Sequence, residues 1–285
     1  MGTRSSSFVN GVAAVAALAW VTMAGAALAE KLTVPLSDAT KPAELEVSLV
    51  MGSIRVTGGS GKDVLIEAKS RESAESSDGD DDGSKPRKRE GMRRIPNTSI
   101  GLEAEEDRNK VSISAQSWSR AVDLEIQVPV GSSVSLSTVN EGDIDVENVD
   151  GEVEVSNTNG EIHVRNVRGP VSANTVNGDV TVVFRSGASA GRAPMAFSTL
   201  NGDVDVTFPA DLKADVRMRS DNGEIYADFD IAITTEQISG TDERPKQGKF
   251  HAIVGREMTG KINGGGPEML FKTFNGDILL RRAKN

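Results

Sequence analysis

Six carboxylates occupy one place in a repeated phrase, each directly after the glycine of a turn: Asp143, Glu161, Asp179, Asp203, Glu224 and Asp277. In an eighteen-residue coil Asp143, Glu161 and Asp179 stand one above another, and like charges at strand spacing repel by about 1 kcal/mol even in water. Such a column either holds cations or another ligand, or spends its oxygens on the N–H groups of the turns and faces solvent. The second use is the ordinary one for Asp beside a tight turn. Glu147 and Arg165 also offer an opposite-charge pair in the neighbouring column. A second acidic run, Asp78, Asp80 and Asp82 before Gly83, spells D-x-D-x-D-G, the opening of a calcium loop. Arg89 stands where the closing Glu belongs and Lys85 where an apolar residue does. The run therefore reads as a solvated charged stretch and only a weak metal candidate.

Residue types for catalysis are scarce. His163 and His251 are the only histidines, Cys is absent, and neither G-x-S-x-G nor H-E-x-x-H occurs. Some β-helix enzymes cut polysaccharides with carboxylates and Arg, so a carbohydrate-active enzyme stays open as an alternative. The repeats, however, offer Val, Thr and Ser where a sugar-cleaving groove carries aromatic platforms. The residues imply no cofactor.

What must position these groups is a repeat. Gly142, Gly151, Gly160, Gly169 and Gly178 fall nine residues apart. Apolar residues fill the second, fourth and seventh places after most of them: Ile144, Val146 and Val149; Val153 and Val155, with Thr158 in the third slot; Ile162, Val164 and Val167; Val171, Ala173 and Val176. The second and fourth places share one face of a strand, and the glycine lets the chain turn. Asn159-Gly160 and Asn177-Gly178 mark alternate corners, so the structural coil is two units long. The phrase returns, less regularly, at Asn201-Gly202, Asn222-Gly223 and Asn275-Gly276, with extra residues expected to bulge at corners. One coil cannot bury its apolar face alone, whereas stacked coils pair strands about 4.8 Å apart around an aliphatic column. Paired glycines, the mark of metal-binding β-rolls, are missing from these repeats. The residues Phe197, Phe208, Phe229, Phe250, Phe271 and Phe274 read as core or end plugs.

Residues 1–29 have the form of a signal peptide: Arg4, an apolar run from Gly11 to Ala26, and "ALA" before Glu30. Residues 30–130 read as an N-terminal β region that starts the stack or caps it with antiparallel strands, and residues 71–97 as a charged surface loop within it. Residues 131–285 read as the solenoid and its closing rungs. From Glu30 onward the chain carries 31 Lys and Arg against 42 Asp and Glu, a charge of −11. That sign argues against nucleic acid and against tight binding to anionic lipid. No membrane span is expected once the leader is removed.

The stretch "VDLEIQVPVGSSVSLSTVNEGDIDVENVDGEVEVSNTNGEIHVRNVRGPVSANTVNGDVTV" resembles the bacterial adhesin-like family known as domain of unknown function 4097, in which P-x-G leads into G-D-I-x-V rungs. The closing "GGGPEMLFKTFNGDILLRR" is similar to that family's ending, and the likeness covers roughly residues 40–285. It implies an all-β solenoid exported from the cytoplasm, a name suggestive of adhesion, and no catalytic residue. The fold expected is a single-stranded parallel β-solenoid. The function expected is a non-catalytic periplasmic or cell-surface module offering polar ladders to an envelope glycan or protein. Sensing of envelope stress or binding of cationic peptides is the alternative that the negative charge permits.

Overall fold

The computed structural model describes residues 29–71, 101–115, 121–187, 193–234, 241–242, 250–251 and 257–284. Among them every regular element is a strand, and no helix is long and apolar enough to cross a membrane. The expected leader lies outside the described residues, apart from Ala29, which opens the first strand. Asp78, Asp80 and Asp82 also lie outside them, as does the charged loop from residue 72 onward.

Two large sheets hold the fold. In order, the first contains Ala29–Val34, Val64–Ser70, Val122–Pro129, Ile54–Gly59, Ile144–Glu147, Ile162–Val167, Val180–Phe184, Val204–Phe208, Ile278–Arg282 and Ile225–Ala227. The second runs Ile231–Thr234, Glu257–Ile262, Ala214–Asn222, Glu268–Asn275, Met195–Ser198, Val171–Asn174, Val153–Asn157, Ser133–Thr138, Glu44–Ser48, Lys110–Ala115 and Leu102–Asp107. Each coil gives one strand to each sheet, because alternation at period two lets both strands turn their apolar side chains to one interior. Ile144, Ile162 and Val180 align in register in the first sheet, and Val153 with Val171 in the second. Ile144, Val164 and Val182 are each 0% exposed and join one continuous core cluster fed by both sheets. Burial of each Val or Ile contributes about 1.5–3 kcal/mol.

The strictly parallel solenoid expected from the repeat is corrected at both ends. Parallel pairing runs unbroken through the middle, but Ala29–Val34, Val64–Ser70 and Leu102–Asp107 close one end antiparallel, and Glu257–Ile262 with Ile231–Thr234 closes the other. Both sheets are therefore mixed. These closures have a physical basis: an uncovered parallel rung leaves a row of unpaired N–H and C=O groups. Within residues 30–130, Glu44–Ser48 with Ile54–Gly59 and Lys110–Ala115 with Val122–Pro129 form two parallel rungs, while Ala29–Val34, Val64–Ser70 and Leu102–Asp107 pair antiparallel at that end.

Rung order also departs from chain order. Chain order alone would make residues 268–282 the last rung, after Gly223. Instead Ile278–Arg282 lies between Val204–Phe208 and Ile225–Ala227, and Glu268–Asn275 lies between Met195–Ser198 and Ala214–Asn222. The irregular spacing after Gly202 thus records a rung slotted in from the C-terminus, not a bulge at a corner. At the N-terminal end the same exchange occurs, the rung of residues 44–59 lying between those of 110–129 and 133–147.

The wider C-terminal coils are filled by aromatic side chains. Phe197, Phe208 and Phe271 are 0% exposed, with Phe184 stacked on Phe208 at 5.0 Å and Phe197 on Phe271 at 5.2 Å. Phe229 is also buried and lies under the Arg282 guanidinium. Phe274 departs from the expected core set, being 45% exposed. The side chain of Phe250 lies outside the described residues.

Candidate functional site

The repeated phrase marks a single corner, where each strand of the second sheet turns into the first. Its copies are residues 138–143, 157–161, 175–179, 199–203, 273–277 and 220–224, given in rung order. Gly178 shows why glycine is required. Its φ is +148°, and a Cβ there would lie 2.2 Å from the Gly160 carbonyl oxygen. Gly160, Gly202 and Gly276 repeat this approach of backbone to backbone. Gly142 meets the carbonyl of Gly52 in the same way, while Gly151 and Gly169 make equivalent approaches at the opposite corner.

Three hydrogen-bonded rows run along the corner. The innermost is buried: Thr138, Thr175, Thr199, Thr273 and Ser220 each donate a hydroxyl to a glycine carbonyl one rung away, at 2.8–3.0 Å. Asn157 fills the remaining place with its amide, donating to the Gly142 carbonyl at 2.9 Å. The middle row is a ladder of Asn side chains, Asn140, Asn159, Asn177, Asn201, Asn275 and Asn222, in which each amide after the first donates to the side-chain carbonyl oxygen of the Asn before it at 2.7–3.1 Å. The backbone follows suit, the N–H groups of Gly160, Gly178 and Gly202 donating to the carbonyls of Asn177, Asn201 and Asn275.

The outer row is the acidic column. Asp143, Asp179, Asp203 and Asp277 each accept the backbone N–H of the next acidic residue in the stack, at 2.7–2.8 Å. The order is Asp143, Glu161, Asp179, Asp203, Asp277 and Glu224, so Asp277 precedes Glu224 in space. The two glutamates take side-chain partners instead: His163 Nε2 lies 3.0 Å from Glu161, and the Tyr226 hydroxyl donates to Glu224 at 2.7 Å. That bond holds the Tyr226 phenol above its ordinary pKa. Among the described residues no group of three His, Asp or Glu is arranged to hold a metal. Beside the column the expected Glu147 and Arg165 partners are aligned across the strands, but the ion pair Arg165 makes is with Asp145, at 3.6 Å. Asp145 also meets Arg55 at 3.2 Å.

Arg71 fastens the lower end of the corner. It grips both oxygens of Asp123 and donates to the Glu141 carbonyl, while Asp123 also accepts from Ser53. Burial alone would raise the Asp123 pKa, but the bonds from Arg71 and Ser53 outweigh it and hold the carboxyl below its usual range. His251 lies on a short strand, and its side chain is outside the described residues.

The residue between the buried hydroxyl and the Asn faces outward on every rung. Val139, Val176, Leu200 and Phe274 are 43, 38, 46 and 45% exposed, and Thr158 and Asp221 complete the row. The seventh place of the nine-residue unit thus has two environments: Val149 and Val167 are buried at one corner, Val176 is not at the other. The two corners are not equivalent, so the true repeat is eighteen residues, the separation across which Asp143 bonds to residue 161.

A family model described as Toastrack DUF4097 matches residues 34–280, a span that reaches from the end of the first strand into the last. The chain belongs to the Toastrack family. A comparison with curated proteins finds no match. Two crystal structures are similar to this Toastrack chain. One, a "putative cell adhesion protein" from Clostridium sporogenes, is 12% identical, with 90% of this chain and 99% of that one covered and a TM-score of 0.46. The other, a "putative adhesin" from Bacteroides fragilis, is 14% identical, with 88% and 96% covered and a TM-score of 0.42.

Sequence reasoning missed the buried hydroxyl row of this Toastrack corner, although its signal is plain: Thr, Ser or Asn stands two places before each ladder Asn. Asn157 is the imperfect member, since its carbonyl oxygen is buried with no hydrogen-bond partner. Asn157→Thr keeps a donor for the Gly142 carbonyl and removes the orphaned acceptor. We expect it to raise stability by about 1 kcal/mol, read as a higher urea midpoint. An unchanged or lower midpoint would show that the amide is better satisfied than its geometry indicates.

Proposed function

We propose that this Toastrack chain is an exported, non-catalytic, adhesin-like module of the cell envelope that binds a polymeric glycan along the Thr-x-Asn-Gly corner. The observation that carries this reading is the outward apolar row of Val139, Val176, Leu200 and Phe274 beside the Asn ladder. A sugar ring presents an apolar C–H face and a rim of hydroxyls. The row suits the face, and the second amide N–H of Asn177, Asn201 and Asn275 suits the rim. The carboxylate column disfavours an anionic polymer. Export is supported by the leader-like residues 1–29, with the periplasm or the cell surface as destination.

Burying one such side chain contributes on the order of 1 kcal/mol. Four in line therefore give weak single-site affinity, near the millimolar range, which a polymer raises by engaging several modules at once. The non-catalytic part of the reading is supported by the use the corner makes of its polar groups, which tie rung to rung.

Pull-down with an insoluble neutral cell-wall polysaccharide tests this. We expect retention that falls roughly 10-fold or more in a Leu200→Ser, Phe274→Ser double variant. The unfolding midpoint should change little, because both side chains point outward and are nearly half exposed. Retention equal to that of the parent chain would remove the corner from the proposal, and release of new reducing ends would overturn the non-catalytic reading. Salt-sensitive retention of a cationic peptide, lost on neutralising Asp150, Glu152 and Glu154 together, would favour the stress-sensing alternative. Asp150 is already paired with Arg185, so that alternative leans on Glu152 and Glu154, both exposed.

A further inference from the structure

Asn-Gly is the peptide linkage most open to spontaneous deamidation, because glycine offers an unhindered backbone nitrogen to the preceding side chain. The corner carries five such pairs, beginning at Asn159, Asn177, Asn201, Asn275 and Asn222. Their chemical fates differ with their places in the stack. At Asn177 the side-chain amide donates to Asn159, the side-chain carbonyl accepts from Asn201, and the nitrogen that would attack, that of Gly178, donates to the Asn201 carbonyl at 2.9 Å. Asn159 and Asn201 are held on all three counts as well. Asn275 has both side-chain bonds and pairs in register with Asn222.

Asn222 sits on the last parallel rung. Its amide makes the longest bond of the ladder, 3.1 Å to Asn275. Among the described residues nothing donates to its side-chain oxygen and nothing accepts the Gly223 N–H. Both residues are exposed.

We infer that Asn222-Gly223 is a site of spontaneous deamidation, and that the Asn ladder shields the other four pairs from the same reaction. In the reaction the Gly223 nitrogen attacks the Asn222 side-chain carbonyl carbon and a C–N bond forms. The side-chain nitrogen leaves as ammonia, carrying away the proton of the attacking N–H. Water then opens the cyclic imide at either carbonyl, giving an aspartyl or an isoaspartyl linkage. Either product replaces the amide that caps the ladder with a carboxylate, next to Asp221 and close to Glu224, and makes the chain more acidic. Shielding requires two or three bonds to open together before attack, so it acts as a local stability.

The test is peptide mapping by mass spectrometry of the folded chain aged at mildly alkaline pH, beside the same chain aged in urea. In the folded chain Asn222 should convert at least roughly 10-fold faster than Asn159, Asn177 and Asn201, whereas in urea all five should convert at similar rates. Conversion of Asn177 or Asn201 as fast as Asn222 in the folded chain would overturn the inference, as would an Asn222 that stays intact while the urea sample reacts. An Asn177→Ala variant checks the cause. It removes the donor to Asn159 and the acceptor of Asn201, so those two should convert faster while Asn222 keeps its rate. No acceleration at either would sink the shielding role of the ladder.

Discussion

Replacing Gly178 with alanine is expected to destabilise the protein by on the order of 4 kcal/mol, visible as a large drop in the urea midpoint. Two penalties add. The φ of +148° is one that L side chains rarely adopt, and the new Cβ would lie 2.2 Å from the Gly160 carbonyl oxygen and 2.6 Å from its carbon. Both are backbone atoms fixed by their own rung, so neither can step aside as a flexible side chain would. Relief requires the two rungs to separate, which breaks the Gly160 N–H bond to the Asn177 carbonyl and the Thr175 hydroxyl bond to the Gly160 carbonyl. Gly131→Ala is the control, since a Cβ at Gly131 meets nothing within 4 Å and its φ is not positive. That change should stay within about 0.5 kcal/mol. Equal midpoints for the two variants would mean that the rungs are not in the close contact described.

The second large effect is expected at Phe208. Phe208→Ala should cost about 3–5 kcal/mol, through lost transfer energy and the cavity left behind. The upper end of that range is favoured by its surroundings: Phe184 stacked at 5.0 Å, and Phe197 and Phe271 edge-on at 6.2 and 6.3 Å. These rings belong to four different strands, so the site cannot collapse by moving one of them. Phe274→Ala removes the same group from an outward position and should change stability by less than about 0.5 kcal/mol. A Phe208 variant as stable as the Phe274 variant would contradict the assignment of the aromatic cluster as the interior of the wide coils.

The parallel middle of the molecule was legible because its signals are local. Gly142 to Gly178 mark the turns, and the alternation of Ile144 with Val146 or Ile162 with Val164 fixes the buried face within a few residues. What was not legible depends on comparing places far apart in the chain. Val149 and Val176 hold the same slot of the nine-residue unit, yet one points inward and the other outward, because the corner after Ala173 is built on the buried Thr175 and the ladder Asn177 while the corner after Val146 is not. Phe274 was read as core for the same reason. Nor could the phrase at Asn275 announce which rung it would stack on. Every copy offers the same ladder groups, so any copy fits any other, and only the connecting segments decide that Gly276 lies on Gly202 and under Gly223. The acidic column was legible as a column, but not the division of labour in it, where the shorter Asp reaches a backbone N–H and the longer Glu a side chain.

The placement of residues 268–282 in the penultimate layer has a consequence for synthesis. A chain that emerges N-terminus first can build its middle layers in succession as they appear, but the layer that joins Val204–Phe208 to Ile225–Ala227 is the last to become available. Closure is thus a long-range event, and such events are slow because distant segments must meet before any contact rewards them. Losing the final two dozen residues would not shorten the molecule by one step but leave a slit through it, with two raw faces where one interior had been.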